Sequence, residues 1–185
     1  MRHARAALPE RPNILFIFAD DQTYETVHAL GCDEIETPNL DRLVHSGTTF
    51  THAYNQGAWH GAVCVASRTM LATGAFLWRA KELETGLKEE RAAGRLWPQL
   101  LSQAGYETYM AGKWHVNIDA DSIFDHARHV RPGMPNQTEA GYNRPIEGEE
   151  DPWRPWDTAH GGYWKGGRHW SEVLGDDAEA FLARA

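Results

Sequence analysis

The chain has little cysteine, no long apolar run and no excess of positive charge. Two cysteines in 185 residues, Cys32 and Cys64, do not make a disulfide framework. A cysteine in so small a set is either a small buried hydrophobe or a reagent. No stretch approaches the ~20 apolar residues that a membrane-spanning helix needs. A formal net charge of −8 at pH 7 leaves no basic footprint for nucleic acid, and argues weakly against polyanionic polymers unless a local basic pocket lies within the acidic total. Met1–Arg11 carries Arg2, Arg5 and Arg11 but no apolar h-region, so it does not read as a signal peptide, and the expectation is a cytoplasmic protein with neither membrane nor nucleic acid as partner. There are no internal repeats and no low-complexity tract. What is present is an ordinary globular composition, 42% hydrophobic, in a chain long enough for one domain with a real core.

The first organised stretch is Ile14-Leu15-Phe16-Ile17-Phe18-Ala19, a continuous apolar run of the kind found in strands buried on both faces of a parallel sheet. It ends in Asp20-Asp21. Ligands of such sheets gather beyond the carboxyl ends of the strands, and paired carboxylates there suit a hard cation such as Ca²⁺ or Mg²⁺. The alternative is that Asp21 caps a following helix while Asp20 is solvated. Thr37-Pro38 then opens a helix with Leu40, Leu43 and Val44 as its buried stripe and Gly47 at its end. Thr48–Tyr54 is β-rich and reads as a second strand.

That strand delivers the chain to a loop of small residues running into Cys64. From Cys64 the sequence predicts a short helix stopped by Gly74. A thiol in the first turn of a helix meets unpaired N–H groups and the positive end of the dipole, which favour anions. Arg68, four residues on, shares its face. His60, in the preceding loop, reads first as a polar loop residue and second as a substrate contact.

Residues 78–95 are charged and aperiodic, which suits surface helix and loop. Leu96–Leu101 begins a helix ending at Gly105. Tyr106–Ala111 alternates as a strand and runs into Gly112-Lys113-Trp114-His115. If the chain stays extended, Lys113 and His115 share a face and Trp114 points away, placing a cation and an imidazole together at a strand end. Residues 116–169 are rich in Pro, Gly and Trp, with Trp153, Trp156, Trp164 and Trp170 near the acidic run Glu147, Glu149, Glu150 and Asp151. They read as a long ordered excursion, its tryptophans either packing it onto the core or walling a site for a cationic group. From Ser171 a helical pattern returns, with Val173, Leu174, Asp177, Ala178, Phe181 and Leu182 on one side.

Two of these stretches resemble the signatures of the type I sulfatases, in the alkaline-phosphatase superfamily. Cys64-Val65-Ala66-Ser67-Arg68, trailed by Thr73-Gly74, is similar to the first, with Ala66 where Pro is commoner; that variant leaves open which maturation enzyme acts. Gly105-Tyr106-x-Thr108-x-x-x-Gly112-Lys113-Trp114-His115 looks like the second, with every typed position filled. The opening Arg11–Asp21 is similar to the family's first strand. The resemblance implies an α/β fold, a mostly parallel sheet flanked by helices, incomplete within this chain: residues 1–11 as an N-terminal extension and 12–185 as the N-terminal part of the catalytic domain. It implies Asp20 and Asp21 as ligands of one divalent metal, usually calcium, and Cys64 as precursor of formylglycine, itself a metal ligand. It further implies Arg68 steadying the aldehyde hydrate, Lys113 on the sulfate, and His115 on the formylglycine or assisting proton transfer. The implied partners are a formylglycine-generating maturation enzyme and a small-molecule or carbohydrate sulfate ester. A phosphoester hydrolase on the same fold and a non-catalytic anion-binding relative are the competing readings.

Overall fold

The computed structural model describes residues 11–61, 63–131, 145–151 and 168–185. Between Asn55 and Gln56 the chain divides into two compact units.

In the first unit, short 3₁₀ turns at Tyr24–Thr26 and His28–Leu30 precede helix α1, Pro38–Ser46. Thr37 stands at the N-cap, but its hydroxyl does not bond the first turn. It donates to the Asp41 carboxylate at 2.7 Å and accepts from the His28 N–H at 2.9 Å. Asp41 also accepts from the Ala29 N–H at 2.9 Å, so these polar groups join the helix to the preceding turn. Burial raises the Asp41 carboxyl, and hydrogen bonds from Ala29 and Thr37 outweigh it, leaving the group below its ordinary value.

Three expectations for this unit are corrected. Ile14–Ala19 is not a strand: the run has no ladder partner among the described residues, and Ile14, Leu15, Phe16 and Ile17 are exposed by more than half. Thr48–Tyr54 is likewise irregular, with Phe50 81% and Tyr54 85% exposed. In α1 no residue is fully buried; Leu40 and Val44 are half-buried and Leu43 is exposed. A strand exists by pairing, and apolar sequence supplies the motive to pair without the partner.

The second unit holds helices α2 (Val63–Thr73), α3 (Leu77–Glu84), α4 (Leu87–Ala92) and α5 (Trp97–Gln103), then strand β1 (Tyr109–Lys113), strand β2 (His126–Arg131) and helix α6 (Trp170–Leu182). The helices come where the sequence places them. The strands pair in parallel, with a crossover of a dozen residues that includes a 3₁₀ turn at Ala120–Ser122. β2 lies inside the stretch 116–169 read as a loop excursion, so that reading fails over residues 126–131; residues 132–144 and 152–167, with Trp153, Trp156 and Trp164, lie outside the described residues. The alternation-free, charged sequence His-Ala-Arg-His-Val-Arg hides this strand from any hydropathy pattern.

A core of Leu87, Leu96, Trp114, Ile123 and Phe124 forms between the sheet and the helices α4 and α5. Phe124 meets both Trp97 and Trp114 edge-on, with centroids 5.4 and 5.5 Å apart. The Trp114 indole N–H donates to the Ile118 carbonyl at 2.6 Å, which satisfies the one polar atom its burial would orphan. On the other side, α6 packs against β1. Gly112 has φ +100, and a Cβ there would lie 3.1 Å from Leu174 Cδ1, so this close approach of helix and strand needs glycine.

Asp125 joins the strand pair to α5. Its Oδ2 accepts from the Thr108 N–H and hydroxyl, each at 2.8 Å, and from the Ser102 hydroxyl at 3.0 Å. Thr108 Oγ1 accepts in turn from the Asp125 N–H at 3.0 Å, and the Thr108 carbonyl accepts from the His126 N–H at 3.0 Å. This clamp begins the parallel ladder and ties it to α5. Burial raises the Asp125 carboxyl, while the bonds from Thr108 and Ser102 prevail and hold it below its ordinary 3.8.

Thr108→Val should lower the stability of the full chain by about 1–2 kcal/mol, read as a reduced urea midpoint, because it leaves the buried strand entry without its hydroxyl. Since the folded-state carboxyl is depressed, the contribution of Asp125 is complete above its unfolded value near 3.8 and is lost as pH falls through the lower folded one. The stability gap between Asp125→Asn and wild type should therefore close under strongly acidic conditions.

Candidate active site

Helix α2 carries the first set of predicted residues. Cys64 is its second residue, half-buried and a free thiol. The helix runs to Thr73 and stops at Gly74, whose φ of +65 is the left-handed stop predicted for it. Ala66 and Thr69 are wholly buried and Arg68 is only 7% exposed, so this face of α2 lies against the body of the unit, with α3 and α5 packed on it. The Thr73 hydroxyl bonds back to the Thr69 carbonyl at 2.7 Å within the last turn. Gln56, upstream of Cys64, accepts from the Leu77 N–H at 3.2 Å and so anchors the incoming loop to the start of α3.

Arg68 makes the contact that joins the two signatures. Its Nη1 donates to the Lys113 carbonyl at 2.5 Å, across 45 positions of sequence. Lys113 ends β1, and the Trp114 N–H continues the ladder by donating to the Arg131 carbonyl at 2.8 Å. The expectation that the chain stays extended to His115 is corrected: His115 takes φ +51. Trp114 turns into the core, and the chain bends sharply beyond it. Asp21 also has a positive φ, +59, and the N-cap position of the helical turn after it is held by Thr23, without a side-chain bond, so Asp21 is not its N-cap. The chain thus turns at Asp21. Positive φ is uncommon for residues with a Cβ and concentrates at functional sites. His129 is the remaining non-glycine case among the described residues.

The structure brings Arg68 and Lys113 together and puts His115 two residues further along the same strand end. A cleft of about 610 Å³ in this unit, bordered by Arg91, Trp114, Ile118 and Asp121, is lined by none of Cys64, Arg68, Lys113 or His115. Asp20 and Asp21, in the first unit, are both exposed. As hard oxygen donors they suit Ca²⁺, which takes 6–8 oxygens. Their number does not: no group of three or more His, Cys, Asp or Glu side chains poised for a metal occurs among the described residues. The two acids alone are not a calcium site.

Sequence reasoning missed two features near this strand end. His129 Nδ1 lies 2.6 Å from the carboxylate of Asp177, a residue of α6 that is 4% exposed. Arg131 lies over the ring of Trp170, its guanidinium carbon 4.0 Å from the centroid. The available signal was Asp177 on the apolar side of a helix, where an acid needs a partner.

The second unit thus carries a helix start with Cys64, a buried guanidinium at Arg68 and a strand end with Lys113 and His115 on an α/β scaffold. The family model for Sulfatase matches residues 12–185, and the chain belongs to that family. It is 36% identical over 121 residues to an N-acetylglucosamine-6-O-sulfatase of Bacteroides thetaiotaomicron, covering 63% of this chain and 20% of that one. An N-acetylgalactosamine-6-O-sulfatase of the same organism is 33% identical, over 66% of this chain and 24% of its own. Arylsulfatase A of Bos taurus is 34% identical, over 75% and 28%. The matched region thus spans about a quarter of the length of these relatives. No solved structure matches the chain.

Arg68→Met should destabilise the full chain by about 2–3 kcal/mol, since it strands the Lys113 carbonyl and removes a charged hydrogen bond. Arg68→Lys should recover only part of that, a point charge being a poor substitute for a planar fork. Equilibrium denaturation of the two variants checks the order.

Proposed function

We propose that the protein hydrolyses a sulfate monoester, water splitting the ester into an alcohol and sulfate, through a formylglycine generated from Cys64. The observation that carries this reading is the Arg68 to Lys113 hydrogen bond, which unites the two family signatures in one place. Family membership supports the reaction class. When formed, formylglycine supplies a hydrated aldehyde, a nucleophile that a thiol in the first turn of α2 does not provide.

The roles of the chain's own residues follow from position. Backbone N–H groups in the first turn of α2 favour negative charge beside residue 64. Arg68, one turn further on, is fixed by the Lys113 carbonyl and steadies the hydrate without having to reorganise. Lys113, at the carboxyl end of β1, contacts the sulfate oxygens. His115, set apart by its left-handed backbone, contacts the same hydrate or carries its proton. By the family resemblance, Asp20 and Asp21 would contribute carboxylate oxygens to one divalent cation, Ca²⁺, with residue 64 as a further ligand; other donors would be needed to complete its shell. Two of the relatives are named for sulfated amino sugars, which supports a carbohydrate sulfate ester over a small choline-type one.

In the complete protein co-expressed with a formylglycine-generating enzyme, the peptide containing residue 64 should react with aldehyde probes, and 4-nitrophenyl sulfate should be hydrolysed in preference to 4-nitrophenyl phosphate. Cys64→Ala should remove both the probe signal and turnover. A thiol that survives every maturation system tried, with no turnover, would leave the non-catalytic reading.

Asp21→Asn should weaken calcium binding by about ten-fold or more and lower activity in parallel, because it removes a charged ligand from the ion. Calorimetric titration with calcium, alongside the rate, tests whether the two losses move together.

A further inference from the structure

The cleft of about 610 Å³ lies where the two strands end. Trp114 follows directly on β1. β2 bulges at His129, the register passing from Ala111–Arg128 to Gly112–Val130, and Val130 beyond the bulge lines the cleft. The crossover that joins the strands supplies most of the remaining wall. In parallel α/β sheets, ligands bind in the crevice beyond the carboxyl ends of the strands. The volume is that of a small-molecule site.

The lining has two parts. Trp114, Val116, Ile118 and Val130 make an apolar floor. Trp114 and Val116 are buried and belong to the core, and the Trp114 indole N–H is engaged by the Ile118 carbonyl, so the floor offers hydrocarbon on a fixed base. Three charged side chains border it: Arg91 from α4, and Asp119 and Asp121 from the crossover. Arg91 is braced by its Nε, which donates to the Ser122 carbonyl at 3.2 Å and leaves both Nη groups open to a ligand. Asp119 is braced by its main chain, whose carbonyl accepts from the Ser122 hydroxyl at 2.6 Å. Among the described residues the carboxylates of Asp119 and Asp121 make no hydrogen bond or ion pair, with Arg91 or with any other group.

These groups select a ligand by chemistry. Two carboxylates against one guanidinium disfavour an anion. A wholly apolar molecule would cover charges and give them no partner. A zwitterion would pair Arg91 and one acid and leave the other acid unmatched. A hydroxyl both donates and accepts, so a molecule with several of them serves carboxylates and guanidinium together. A sugar ring adds an apolar C–H face for the floor. We propose that this cleft binds a neutral sugar unit, Asp119 and Asp121 accepting from its hydroxyls and Arg91 donating to them. The site is separate from Cys64, Arg68, Lys113 and His115, none of which lines it, and so it goes beyond the sulfatase reading and does not depend on it.

The test uses the complete protein carrying Cys64→Ala, and reads binding by calorimetric titration without turnover. Of the methyl glycosides of glucose, galactose and N-acetylglucosamine, at least one should bind with a Kd of about 5 mM or tighter. Glucuronate, an anion, and glycine, a zwitterion, should bind at least about five-fold more weakly than that sugar. Asp119→Ala combined with Asp121→Ala should weaken the sugar by about ten-fold or more, and Arg91→Gln by about five-fold. The double variant should keep the wild-type urea midpoint, because both side chains are exposed and hold nothing in place. Weaker binding than that by all three sugars, or a preference for glucuronate or glycine, overturns the proposal. So does sugar affinity that survives both the double substitution and Arg91→Gln, since the sugar then sits elsewhere. A protein that never forms formylglycine and turns over no ester, yet binds the sugar through these residues, leaves the cleft assigned and the sulfatase reading failed.

Discussion

The second unit depends on one guanidinium. Arg68 is almost completely buried, and a buried cation is tolerable only when its donors are engaged. It meets that requirement at the Lys113 carbonyl, the last residue of a strand 45 positions away. The bond fixes where α2 lies along β1, and hence where the first turn of α2, with Cys64, stands relative to the strand end with Lys113. Chemistry that needs a helix start and a strand end together is served by the same contact that satisfies the buried charge. The rest of the unit fits around it: Ala66 and Ala72 are small enough for α2 to be packed on closely, and Trp114 drives the opposite side of the strand into the core.

The strand pair is held at both ends by polar groups rather than by apolar pattern. At its start Thr108 and Asp125 exchange hydrogen bonds between the entries of the two strands. Near its end His129 bonds Asp177, which ties the bulge to α6. Two parallel strands have little area of their own to bury, and each clamp sits where α5 or α6 crosses the sheet. The typed residues of the second signature divide accordingly. Thr108, Gly112 and Trp114 build the ladder, the close helix approach and the core, while Lys113 and His115 stand at the end of the strand and just beyond it.

The helix and strand that carry the candidate residues were legible in the sequence because they are fixed by local rules. The helix that begins beside Cys64 and stops at Gly74 follows from spacing and a left-handed glycine; so do the Gly105 stop and the strand that runs into Lys113. The apolar run Ile14–Ala19 was misread as a formed strand because hydropathy reports what a segment would bury, while pairing depends on where another segment lies. β2 was missed for the converse reason. His126–Arg131 is charged, and it is a strand because Thr108, Asp125 and the main chain of β1 make it one.

The sequence by itself determined the family, the helix carrying Cys64 and Arg68, and the order of the two signatures, because these rest on residues within a few positions of one another. Tertiary structure alone decided that Arg68 reaches Lys113, that Asp125 is a structural clamp, and that β2 bulges at His129 so that Lys113 pairs with Arg131. Each of these is a contact between residues distant in the chain, and the register of a strand or the partner of a buried charge exists only once both segments are in place.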